Sequence, residues 1–204
     1  MGDKYITREE LRLEPYAVSI EGVDDKYLDL LQDLTKDLVD KLCGQDFERE
    51  GSDTAPLEKR ISGTGKDTIF LPKRLISLKK VRIYTSTTSY SDYEVGNFVS
   101  KPKFISWISF DTKRFGKGIF PEGTYNIGII GIWGWSDVPG PIKYLQGRMI
   151  QKIVEDGEFA NKFSSEKLGD YTYQLLEKEA SFLADVELDA IIKRYKVWVN
   201  YAVA

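Results

Sequence analysis

Apolar positions along the chain recur first with a helical period, then with a strand period, then with a helical period again. In DDKYLDLLQDLTKDLVDKLCG, residues Tyr27, Leu31, Leu34, Leu38 and Leu42 fall at helical spacing, and Leu30 and Val39 widen the stripe. Asp24 or Asp25 is placed to cap the start and Gly44 to supply a left-handed stop, so the spacing predicts a long helix with this face in the core. Between residues 57 and 135 the period becomes two. Val81, Ile83 and Thr85 alternate with Arg82 and Tyr84; Phe104, Ser106, Ile108 and Phe110 with Ile105, Trp107 and Ser109; Tyr125, Ile127 and Ile129 with Asn126 and Gly128. Turn signals at Leu71-Pro72, Gly116-Lys117-Gly118 and Pro121-Glu122-Gly123 divide the runs, which predicts five or six antiparallel strands. From Val138 the helical period returns. Pro139 and Pro141 open a helix with Ile142, Leu145, Met149 and Ile153 on one stripe, Gly147 leaving room for a close neighbour and Gly157 ending it. A last helix is expected from about Glu177 to Lys196, with Ala184, Leu188, Ile191, Tyr195 and Val199 on one side.

The expected class is therefore α+β. A helical bundle is built from both chain ends, residues 1–51 and 136–204, and an antiparallel β sandwich or barrel is inserted at 52–135. A chain of 204 residues suits one large domain or two small ones and buries roughly 70% of its unfolded surface. No apolar run approaches the ~20 residues of a membrane span, so no membrane partner is expected. One cysteine and a charged start, MGDKYITREE, without an apolar signal region argue against a secreted, disulfide-stapled protein; a soluble protein made in a cytosol is expected. Cys43, at the end of the first long helix, reads as a small buried side chain.

Charge changes this picture. The net charge of −3 conceals a segregation: residues 1–56 carry 15 acids and 7 bases, 57–118 carry 5 acids and 13 bases, and 119–204 carry 12 acids and 9 bases. Such blocks form solvated faces, or they are self-complementary, one subunit's acidic face meeting the next subunit's basic face in a ring. Asp25, Asp29, Asp33 and Asp37 repeat every fourth residue on one helix face, which costs a few tenths of a kcal/mol per like-charged pair. The candidate complementary face is Lys59, Arg60, Lys73, Arg74, Lys79, Lys80 and Arg82, in or near the first strands; these residues suit phosphate or a neighbour's acidic helix.

Candidate chemistry is sparse. With no histidine, Ser-His-Asp and Cys-His nucleophilic sites, HExxH zinc sites and the zinc deaminase pattern are excluded. Gly63-Thr64-Gly65-Lys66-Asp67 does not match a phosphate loop, because Arg60 stands where the first glycine belongs and Asp67 replaces the magnesium-holding hydroxyl; a hairpin turn is expected there. Asp53-Thr54-Ala55 lacks the glycine of an aspartic protease triplet and reads as a solvated loop. No carboxylate pair shares a face with a pocket. The chain reads as a non-enzyme with no cofactor and no metal. Twelve aromatic residues between Val81 and Trp135, among them Trp107, Trp133 and Trp135, suit a β core plus interface, or a platform for sugars or bases.

One segment carries a family pattern. Ser165-Glu166-Lys167-Leu168-Gly169-Asp170-Tyr171-Thr172-Tyr173 resembles the S/T-E-K-I/L-G-D-Y-S/T-Y segment of tailed-phage head–tail adaptor (connector, head completion) proteins. The opening Tyr5-Ile6-Thr7-Arg8-Glu9-Glu10-Leu11 is similar to that family's start, with Thr7 and Glu10 spaced as a capping box, and Val138-Pro139-Gly140-Pro141-Ile142-Lys143 resembles the beginning of its next helix. The similarity covers roughly residues 4–43 and 136–196, and shorter family members lack an insertion like 52–135. The resemblance implies a ring, typically of twelve subunits, in the virion neck, assembled in the host cytoplasm. It docks on the portal protein after packaging, meets a stopper or tail-completion protein, and lets double-stranded DNA pass without sequence recognition.

Within that frame Glu166, Lys167, Asp170, Tyr171 and Tyr173 form a candidate portal or subunit interface, with Trp198 and Tyr201 as a further docking segment. The aspartate ladder is expected at a subunit boundary or lining the channel, where an acidic wall does not grip the polyanion. The competing reading is a virion β-module protein that binds carbohydrate or a host receptor.

Overall fold

The computed structural model describes residues 4–99, 105–111, 118–155 and 185–196. The chain divides into two compact units, Met1–Phe47 with Val138–Ala204, and Glu48–Asp137. The class is α+β: one unit is helical and the other is an antiparallel sheet.

In the helical unit, α1 (Arg8–Leu11) and α2 (Ala17–Ile20) precede the long α3 (Asp25–Cys43); α4 (Gly140–Glu155) and α5 (Val186–Tyr195) follow the insertion. Helix α3 starts after Asp24 in extended backbone and stops at Gly44, whose φ of 66° is the left-handed conformation glycine adopts without penalty. Its buried face is Leu28, Leu31, Gln32, Thr35, Leu38, Val39, Leu42 and Cys43. This face is rotated from the expected stripe: Tyr27, Leu30 and Leu34 are only half-buried, and two polar residues take core positions. On α4 the expected Ile142, Leu145, Met149 and Ile153 are all fully buried, joined by Gln146 and Ile150. Gly147 does admit a close neighbour: a Cβ there would lie 2.6 Å from Cζ of the Tyr16 ring. Gly157 lies outside the described residues. Helix α5 falls within the helix expected from about Glu177 to Lys196, of which residues 177–184 lie outside the described residues; Asp185 caps it, its carboxylate accepting from the Glu187 and Leu188 amides. Of the expected stripe Leu188 is buried, but Ile192 rather than Ile191 joins it.

The other unit holds β1 (Arg49–Glu50), β2 (Leu57–Gly63), β3 (Thr68–Tyr84), β4 (Tyr90–Glu94), β5 (Phe98–Val99), β6 (Ile105–Phe110) and β7 (Gly123–Gly134). Among the described residues all pairings are antiparallel and belong to one seven-stranded sheet. The 17-residue β3 is its spine. One side pairs with β7 along Leu75–Ile83; the other pairs first with β6 and then with β4. Register shifts between Phe70 and Leu75, around Pro72, and between Leu78 and Lys80 bend the strand, as bulges do. A core of Ile69, Leu75, Leu78, Val81, Ile83, Ile108, Phe110, Phe120, Ile127, Ile129 and Trp133 results.

Residues 64–67 do not form the expected hairpin. Strands β2 and β3 both pair with β7, so the connection crosses the end of β7, tied by the Gly65 amide to the Phe120 carbonyl at 2.9 Å and the Phe120 amide to the Lys66 carbonyl at 2.8 Å.

Candidate functional site

The segments that resemble the adaptor family's start and its second helix meet in the helical unit. Thr7 Oγ1 accepts from the Glu10 amide at 3.1 Å while Glu10 Oε2 accepts from the Thr7 amide at 2.8 Å, completing the capping box. Glu10 Oε1 accepts from Lys143 Nζ at 2.6 Å. Partial burial works against the ionised Glu10, but the hydrogen bonds from Lys143 and the Thr7 amide prevail and hold the carboxyl below its usual range.

Beneath this pair lies a buried polar network. Gln146 Oε1 accepts from the Ile6 amide at 2.9 Å, and its Nε2 donates to the Gln32 carbonyl at 2.7 Å and to Thr35 Oγ1 at 3.3 Å. Gln32 Nε2 donates to the Ile6 carbonyl at 2.6 Å, and Thr35 Oγ1 donates to the Leu31 carbonyl at 2.6 Å. Gln32 and Gln146 thus serve the backbone of Ile6, and Thr35 supports Gln146, which accounts for three polar residues in the core.

The aspartate ladder of α3 splits into two halves. Asp25 pairs with Arg12 at 2.7 Å and Arg8 at 3.1 Å; Asp29 pairs with Lys4 at 2.6 Å and Arg8 at 3.2 Å. The Arg12 hydrogen bond lowers the Asp25 pKa, and that of Lys4 lowers Asp29. Asp33, half-buried, and Asp37, exposed, have no ion pair among the described residues. Lys36 turns instead to Asp40 at 3.1 Å. Asp40 also accepts from the Tyr5 hydroxyl, which itself accepts from the Phe47 amide at 2.8 Å. Burial raises the pKa of Asp40 despite these bonds, and burial together with the Asp40 hydrogen bond raises that of Tyr5. Cys43 is fully buried, and burial pushes its thiol up to about 12, which leaves it unreactive.

In the β unit the basic cluster is engaged by acids of the same unit. Glu50 bridges Lys59 and Lys73, Asp53 meets Lys79 at 2.8 Å, and Asp92 meets Arg82 at 2.8 Å and Lys80 at 3.2 Å. Burial disfavours the Glu50 carboxylate, but Lys59 and Lys73 outweigh it and its pKa falls; Lys79 lowers Asp53 and Arg82 lowers Asp92. Arg74 lies over the Trp135 ring at 3.8 Å.

Gly128 pairs with Arg60 on β2 and Arg82 on β3, so all three share one face. Over the bare Gly128 backbone, the Tyr84 hydroxyl donates to Glu58 at 2.6 Å, and Glu58 also receives Arg82 at 3.0 Å and Arg60 at 3.5 Å. Arg60 lies over the Tyr84 ring at 3.8 Å, Arg82 over Tyr90 at 3.9 Å, and the two tyrosines meet edge to face at 5.5 Å. A Cβ at Gly128 would sit 2.4 Å from the Glu58 carboxylate. Trp133 is fully buried with Nε1 donating to the Leu57 carbonyl at 3.0 Å, so the exposed rings include Phe70, Tyr90 and Tyr125 but not this tryptophan.

The interface candidates Glu166, Lys167, Asp170, Tyr171, Tyr173, Trp198 and Tyr201 lie outside the described residues. No group of metal-ligating side chains occurs among the described residues, and no described helix is long and apolar enough to cross a membrane. No family model matches the chain and no curated protein matches it. Among solved structures it is similar to a chain from the neck of an empty GTA particle computed with C6 symmetry, at 10% identity and a TM-score of 0.49 over 97% of this chain and 95% of that one.

Proposed function

We propose that this protein is a non-enzymatic structural subunit of a phage neck. It forms a ring, of about twelve copies by family resemblance, that docks on the portal protein after packaging and connects head to tail while double-stranded DNA passes through. The observation that carries the reading is the 2.6 Å pair between Glu10 and Lys143, since it unites two separated segments that resemble the adaptor family, and Glu10 also completes the capping box. Charge supports it. Residues 1–47 and 138–204 hold 22 acids and 15 bases, whereas 48–137 hold 10 acids and 14 bases, so each subunit carries net −7 and net +4 on separate units. Head-to-tail contacts between such surfaces close rings. Asp33 and Asp37 are the part of the ladder left for a neighbour or the channel wall, and the tyrosines at 171 and 173 are portal or subunit anchors.

The test is electron microscopy and light scattering of the purified chain with and without its portal. A ring seated on the portal is the expected result. A chain that stays monomeric and unbound beside a competent portal overturns the reading.

A further inference from the structure

At the end of the tyrosine-arginine face, Arg60, Tyr84, Ser86, Thr87, Thr124 and Tyr125 line a cavity of about 350 Å³, near the lower end of the ~300–1,000 Å³ range of ligand pockets. Tyr125 is its most unusual member. Its φ of 49° is a left-handed conformation that a bulky residue rarely adopts, and its side chain is 65% exposed. Its amide donates to Ser62 Oγ at 3.2 Å, which fixes the backbone that presents the ring. Backbone held in such a conformation clusters at functional sites.

The polar groups around this ring define the ligand chemistry. The hydroxyls of Thr87 and Thr124 have no hydrogen-bond partner among the described residues, and each both donates and accepts. Arg60 brings one guanidinium, already shared with Glu58 at 3.5 Å and laid over Tyr84. A phosphate site needs cations that are not already neutralised, and this cavity has none among the described residues. An aromatic face, free hydroxyls and one screened arginine fit a neutral ring whose own hydroxyls alternate as donors and acceptors.

We propose that this cavity is a saccharide subsite: a sugar ring stacks on Tyr125 and its hydroxyls bond Thr87, Thr124 and Arg60. The proposal does not rest on the neck reading and holds for either assembly state.

The test is a titration of the full-length, isotope-labelled chain, followed by amide chemical shifts. The probes, added separately to tens of millimolar, are the methyl glycosides of glucose, galactose, mannose, N-acetylglucosamine and rhamnose, and inorganic phosphate. At least one glycoside should shift the signals of residues 60, 84–87 and 124–126 saturably, with phosphate inert. Tyr125→Asn removes the ring but suits left-handed backbone, and it should weaken binding by ~10-fold or more, as loss of a stacking platform does. Phe70→Ala removes an exposed ring elsewhere and should leave binding unchanged. The proposal is overturned if no glycoside shifts these residues, if phosphate alone does, or if Tyr125→Asn binds as tightly as the parent.

Discussion

Lys143 Nζ lies 2.6 Å from Glu10 Oε1, a contact between residues 133 positions apart that fastens α4 to the capping box of α1. The two ends of this contact are not equivalent. Both side chains are over a third exposed, which limits the ion pair itself to ~1 kcal/mol or less. Glu10 also caps the helix, a role worth ~1 kcal/mol. In urea denaturation Glu10→Ala should therefore cost ~1–2 kcal/mol and Lys143→Ala no more than ~1 kcal/mol. Equal losses from the two variants would show that capping contributes nothing here.

Gln146 is the most demanding position in the helical core. Replacing it with Leu keeps the volume but leaves the buried Ile6 amide without its partner. Such a group costs ~1–3 kcal/mol, so Gln146→Leu should destabilise by that amount in chemical denaturation. A neutral substitution would mean that water replaces the amide.

Helix α3 shows where sequence reading stops. Its end was legible because Gly44 acts locally, and its start falls at the expected Asp24, although that side chain makes no cap hydrogen bond and Asp25 pairs with Arg8 and Arg12. Its buried face was not, because Gln32 is inside to bond the Ile6 carbonyl, 26 residues away, and Thr35 to bond Gln146, partners that no periodicity reveals. The charge blocks misled for a related reason. A cut at residue 56 separates Glu50 and Asp53 from Lys59, Lys73 and Lys79, whereas the folded β unit begins at Glu48 and puts them together. The alternation of β7 was readable, yet it placed Tyr125 as an ordinary strand residue. Only the backbone shows it in left-handed conformation at the rim of a cavity.

Gly147→Ala tests the contact between Tyr16, the residue just before α2, and α4. Alanine favours a helix over glycine by ~1 kcal/mol, but its Cβ would stand 2.6 Å from the buried Tyr16 ring. Overpacking of this kind costs ~1–3 kcal/mol, so the variant should be less stable than the parent in thermal or urea unfolding. Adding Tyr16→Leu should make the same alanine stabilising. If Gly147→Ala is stabilising on its own, the ring is not held against the helix.

Two groups of carboxylates predict opposite pH slopes. Asp25, Asp29, Asp53, Asp92 and Asp185 have folded pKa values below their unfolded ones, so the stability they add is present above ~4 and is lost as pH falls through their folded values. Asp40 is raised by burial, so its contribution is present below its unfolded value and is lost as pH rises through its folded one. Asn at this position still accepts from the Tyr5 hydroxyl. Asp40→Asn should therefore compare more favourably with the parent at pH 7 than at pH 3, measured as free energies from urea denaturation at both pH values. The reverse ordering would mean that Lys36 stabilises the charge more than burial penalises it.

The split of the aspartate ladder separates folding from assembly. Asp25 and Asp29 are already paired with Lys4, Arg8 and Arg12, whereas Asp33 and Asp37 have no ion pair among the described residues. Asp33→Asn with Asp37→Asn should change stability by no more than ~0.5 kcal/mol, as surface substitutions do. If these residues meet a neighbour's basic surface, the pair of changes should weaken assembly on the portal and flatten its dependence on salt, because fewer charges remain to be screened. Asp25→Asn with Asp29→Asn should leave that salt dependence intact. Sedimentation of the chain with portal across a range of ionic strengths reads both. An unchanged salt slope in the Asp33 and Asp37 variant would remove this face from the subunit boundary.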